Sequence, residues 1–151
     1  KVDAETAFTC TMMHRIGSLM IYSGMPGEAA SIDKSVDMGG IRESLEQGQL
    51  GFSFADVGEE LANRWKFPDD ICAGIKHQCH PMDIDEFSPL AGLINLSGLI
   101  YEGLENGAAD NEIAAGLPVA LLDKLNLDVD ELESDLDTAK SMLSSFDDVL
   151  H

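Results

Sequence analysis

Residues 51–71, "GFSFADVGEELANRWKFPDDI", hold a helix start, a complete helix and the start of another. Ser53 followed by Asp56 has the spacing of a capping box, in which the hydroxyl accepts from an orphan first-turn amide and the acid complements the positive end of the helix dipole. "FADVGEELANRW" is therefore expected to be helical. Pro68 suits a first helical turn, where no amide donor is needed. Ile71, Cys72 and Ile75 then give "DDICAGIKHQC" an apolar face, which Pro81 closes. Such punctuation, without period-two alternation, makes helix the building unit.

The same logic extends outward. Toward the N-terminus, Phe8, Met12, Met13, Ile16, Leu19 and Met20 recur at three- and four-residue steps and predict one helix over 4–23, stopped by "SGMPG". Residues 24–31 are expected to be loop. "SIDKSVDMGGIRESLEQGQLG" is amphipathic, with a break or bend at Gly39 and Gly40. Toward the C-terminus, Ser88 and Pro89 start "LAGLINLSGLIYEGL", whose leucines and isoleucines wrap most of the way round and mark the most buried helix. "NGAADNEIAAG" is expected to connect, Pro118 starts "VALLDKLN", and Asp128 with Glu131 boxes a last helix through Val149. The expected fold is all-α, a bundle or orthogonal array of six to seven helices. At 151 residues the chain suits one packed domain.

Charge limits the partners. With 28 acidic against 9 basic residues the net charge is −19, which repels nucleic acid, anionic lipid and, without a metal, phosphorylated small molecules. Basic or neutral protein partners fit better. Eight acids between Asp128 and Asp148 crowd the C-terminal end, as a solvated helix face does. No apolar run reaches the roughly 18 to 20 residues of a membrane span. Cys10, Cys72 and Cys79 form no close pair and suit a reducing cytoplasm. Because the chain opens on Lys1 and runs at once into an apolar pattern, it is expected to be part of something longer.

Three separated segments, "MMHRIGSL" (12–19), "GFSFADVGEELANRWKFPDDI" and "IKHQCHP" (75–81), together resemble the HDOD domain, a bacterial signalling relative of the HD metal-dependent phosphohydrolases. In that family the first normally reads like LLHDIG, the second carries a histidine and a VG step leading to a tryptophan and LP, and the third carries a paired histidine before a proline. Gly17, Gly58, Trp65 and Pro68 match the structural part of the pattern. "SPLAGLINLSGLIYEGLE" and "LNLDVDELESDL" resemble the closing helices, so the resemblance spans nearly the whole chain, as the family's larger C-terminal part without its first helices.

The ligand positions depart from the family. His14 remains, but Arg15 stands where an aspartate belongs, and a guanidinium has no lone pair to give and repels a divalent ion. Phe54 occupies a histidine position, and Gln78 with Cys79 replaces the paired histidine. The resemblance with these losses implies a non-catalytic signalling module, with no metal and no cofactor, that binds other signalling proteins or domains and is compatible with a homo-oligomer. The alternatives are a residual metal-dependent phosphohydrolase, acting on a nucleotide or cyclic dinucleotide and completed by absent N-terminal residues, and a redox or zinc sensor on Cys72 and Cys79 with His77 and His80. On ordinary grounds His14 is a core histidine bonded to a carbonyl, Arg15 pairs with a carboxylate or, less simply, holds an anion, and Trp65 and Phe67 are core anchors.

Overall fold

A computed structural model describes residues 2–150, and every regular element among them is helical. In chain order these are α1 (Ala4–Met13), α2 (Ile16–Gly24), α3 (Pro26–Asp37), α4 (Arg42–Leu50), α5 (Phe54–Arg64), α6 (Asp69–His77), α7 (Pro89–Glu105), α8 (Asp110–Gly116), α9 (Val119–Leu125) and α10 (Val129–Leu150). The side chains of Glu133, Ala139 and residues 142–150 lie outside the description, so the expected acidic face at Asp147 and Asp148 does too. The chain divides into two compact units, one ending at Asn95 and the other beginning at Leu96.

In the first unit α5 is the central helix. The capping box forms as the spacing requires: Ser53 Oγ accepts from the Asp56 amide at 3.3 Å and the Asp56 carboxylate accepts from the Ser53 amide at 2.7 Å. Phe54 and Ala55 then pack with Ile21 and Ala29, while Ala62, two turns on, packs with Cys10, Ile71, Cys72, Ile75, Leu90 and Ile94. One end of α5 thus serves each apolar cluster.

The extra helices arise where tertiary packing overrides local pattern. The helix expected over 4–23 breaks at His14 and Arg15, because α1 packs on α6 whereas α2 packs on α5 and α3. One straight apolar face cannot serve both. The expected loop 24–31 is mostly helix α3: Pro26, taken as a stop, occupies the first turn, and Ala29 and Ile32 are buried. The bend expected at Gly39 and Gly40 is real, with Gly39 at φ 94° between α3 and α4. In the second unit the expected connector contains α8, whose Glu112 carboxylate accepts from the Ala109 amide, and Ile113 and Ala114 are buried, as are Leu117, Leu121, Leu122 and Leu136. The helix α7, expected to be the most buried, is so only through Leu96; Leu99 and Tyr101 are exposed.

Trp65 overturns its expected role as a core anchor, being 53% exposed. It caps the C-terminus of α5, and Lys66, at φ 58°, turns the chain so that Phe67 packs against the core instead. The indole only leans on the Phe67 ring, centroids 6.4 Å apart. Trp65→Ala should therefore cost about 1–2 kcal/mol in urea unfolding, set by the half of the ring that is covered, rather than the 3–5 kcal/mol typical of a buried tryptophan.

Candidate functional site

The crossing of α2 over α5 builds the site. A Cβ added to Gly17 would stand 1.9 Å from the Phe54 carbonyl oxygen and 2.7 Å from the Gly58 nitrogen, and one added to Gly58 would meet Ile75 Cγ2 at 2.8 Å. Backbone therefore lies directly on backbone, which carries His14 and Arg15 to the start of α5 with α6 behind it. The end of α6 is tied to the same place. Gln78, buried, donates from Nε2 to the His14 carbonyl at 2.9 Å and to the Ile75 carbonyl at 2.8 Å. Asn95 Nδ2 donates to the Gln78 and Cys79 carbonyls at 2.8 and 3.3 Å. His14, Arg15, Phe54, Gln78 and Cys79, scattered over 66 residues of sequence, are so brought together.

Each of these groups is engaged in something other than ligation. His14 is half-buried and its Nδ1 meets the Thr11 carbonyl, which can only accept, so Nδ1 carries the proton. Burial, with Arg15 adding to it, pushes the imidazole pKa below its ordinary value and keeps the ring neutral. Arg15 takes a different partner from the expected carboxylate: its guanidinium carbon lies 4.5 Å from the Phe54 ring centroid, and no carboxylate among the described residues lies within 4.0 Å. The reason is local. Glu46, the nearby acid, is 1% exposed and already accepts from the Phe54 amide at 2.6 Å, with Arg42 Nη1 at 3.7 Å. Although Arg15 is exposed over its length, burial of its charged end lowers its pKa, helped by Arg42 and opposed by Glu46. The Cys79 thiol is pushed up to about 12 by burial and then by Glu43, so it stays protonated.

This donor set does not fit a divalent metal. A cation would face a guanidinium, a phenyl ring, a committed amide and a neutral thiol, and among the described residues no three His, Cys, Asp or Glu side chains gather round one point. The four sensor candidates separate as well: Cys72 Sγ donates to the Phe67 carbonyl, His80 meets Glu43 at 2.6 Å, and His77 lines an open groove of about 680 Å³ with Asp70, Asp83, Asp85 and Glu86. Gly17 and Gly58 form the crossing, Pro68 caps α6, and Trp65 stands at the exposed end of α5.

Three participants escape a sequence reading. Glu46 and Arg42 are one i,i+4 pair on a helix that looks solvated. Asn95 is the one amide side chain inside the apolar run of α7, and that interruption is its only signal.

Residues 1–81 match the HDOD domain family. A crystal structure from Shewanella amazonensis SB2B, described as "Putative phosphohydrolase", is similar with a TM-score of 0.77 and 32% identity, over 89% of this chain and 50% of that one. The chain spans half the length of that protein. No curated protein matches.

Proposed function

The chain belongs to the HDOD domain family and has its all-α, HD-like fold, and from that premise we propose that it is a non-catalytic signal-transduction module. What carries the proposal is the stack of Arg15 on Phe54. Two positions that would supply a carboxylate and an imidazole to a metal instead satisfy each other, as a cation on an aromatic face. Beside them the Gln78 amide is spent on two carbonyls. The scaffold then acts as a surface for other signalling proteins or domains of the cytoplasm, and the charge of −19 selects against nucleic acid and anionic membranes. No helix among the described residues is long and apolar enough to cross a membrane. Residues 1–151 act on this reading as one HDOD-like domain.

A second reading, a residual phosphohydrolase, is favoured by the description of the similar Shewanella protein. Manganese-dependent hydrolysis of cyclic dinucleotides and generic phosphate diesters separates the two. The wild type is expected to show no turnover above buffer and no stoichiometric divalent metal on elemental analysis. Arg15→Asp should stay inactive, since Phe54, Gln78 and Cys79 still withhold imidazoles and one carboxylate cannot set a coordination geometry. Turnover in the wild type would establish the second reading, and turnover only in Arg15→Asp would mean the site is blocked rather than dismantled.

A further inference from the structure

The two sides of α6 face different surroundings. Ile71, Cys72 and Ile75 are buried, while Asp70, Ala73 and His77 lie on the opposite side, within about 60° of arc at 100° per residue. With the segment from Asp83 to Pro89, that second side walls the open groove of about 680 Å³. Four carboxylates line it, those of Asp70, Asp83, Asp85 and Glu86, and among the described residues no lysine or arginine does. Asp70, Asp85 and Glu86 have no cation of their own chain within 4.0 Å among those residues, and Asp83 meets only His80, at 3.8 Å. Between the acids the walls are apolar, with Ala73, Ile84 and Phe87 each half-buried.

We propose that this groove docks an extended basic segment of a partner protein, one in which an apolar side chain stands between two lysines or arginines. The inference rests on the signalling-module reading and names a surface through which such a module acts. Two observations select the occupant. Uncompensated carboxylates around a concavity concentrate negative potential there and favour a cation. The apolar walls favour a cation carried beside hydrocarbon over bare charge. A divalent ion does not fit, since among the described residues no three carboxylate or imidazole groups gather round one point. The size suits a short stretch of peptide: Asp70 and His77 are about 10 Å apart along α6, the length of about three residues of extended chain. Nor is the groove an unfinished packing face for a further helix of the same chain. Apolar cover would desolvate carboxylates that have no cation to pair with, which burial penalises heavily, whereas the packed side of α6 presents only Ile71, Cys72, Gly74 and Ile75.

Fluorescence anisotropy on the intact chain tests the docking, with a labelled, end-capped peptide of sequence glycine-arginine-leucine-arginine-glycine as the probe. At about 0.15 M salt a Debye length near 8 Å screens the overall charge but not contacts within the groove. Saturable binding of one peptide per chain is expected. Asp85→Asn with Glu86→Gln should weaken it about fivefold or more, and replacing the peptide's leucine with glycine should do the same. The same two charges removed from exposed positions of the second unit, Glu105→Gln with Asp123→Asn, should change it less than about twofold. Circular dichroism confirms that each variant folds. No saturable binding, or an equal response to the distant pair, would overturn the proposal. So would indifference to the leucine or spermidine competing as well as the peptide itself, since either means a site for bare charge. None of these outcomes touches the non-catalytic reading, which turns on hydrolysis and metal content.

Discussion

Replacing Gly17 with alanine is expected to destabilise the fold by about 3 kcal/mol or more, at or beyond the upper end for overpacking a core. The added methyl would lie 1.9 Å from the Phe54 carbonyl oxygen and 2.7 Å from the Gly58 nitrogen, inside any possible contact distance. A flexible side chain could swing away, but these are backbone atoms of a hydrogen-bonded helix, so α2 and α5 must move apart. That movement would also unseat Arg15 from the Phe54 ring and pull the His14 carbonyl from Gln78, since both contacts hang on the same crossing. Urea unfolding followed by circular dichroism reads the loss, with Gly24→Ala as the control, because a methyl there meets nothing within 4 Å. Equal stability of the two variants would mean that α2 does not cross α5 at this distance.

That crossing also marks what the sequence makes legible. Where structure is fixed by neighbours a few residues apart, the pattern suffices: Ser53 and Asp56 cap α5, Pro68 precedes α6, and Gly39 turns the chain between α3 and α4. Where it is fixed by partners far along the chain, the pattern misleads. The apolar repeat runs unbroken through His14 and Arg15, with no glycine or proline at the break, because the cause is a change of partner from α6 to α5. Pro26 has one meaning as a stop and another as a first-turn residue, and only the burial of Ala29 and Ile32 decides between them. Trp65 is large enough to be a core anchor, yet its place at the end of α5 turns it outward. The candidate site follows the same division. Its positions were readable from three separated motifs, but Arg15 on Phe54 joins residues 39 apart, and no local pattern announces such a contact.

Glu46 is the most consequential residue that the pattern conceals. Its carboxylate is 1% exposed and accepts from the Phe54 amide, the first orphan donor of α5, which the Ser53 and Asp56 box leaves unserved. Glu46→Ala should cost about 3 kcal/mol: an unpaired buried donor accounts for about 1–3 kcal/mol and the lost methylene group for about 0.8 kcal/mol. Glu46→Gln keeps an acceptor for the amide and so isolates the charge. Burial raises the Glu46 pKa above its ordinary value of 4.5, with the Phe54 amide, Arg42 and Arg15 opposing the shift. The folded state therefore holds this proton more tightly than the unfolded chain does. The sign follows: the stability contributed by protonated Glu46 is fully present below pH 4.5 and is lost as pH rises through the raised folded value. The stability of the wild type minus that of Glu46→Gln should accordingly fall from acid toward neutral pH, with the other carboxylates cancelling in the difference. Urea midpoints taken at intervals across that range measure it. A difference that rises with pH would mean that Arg42 and Arg15 outweigh burial, and that the acid sits in the fold as a stabilised anion rather than as a charge the core tolerates.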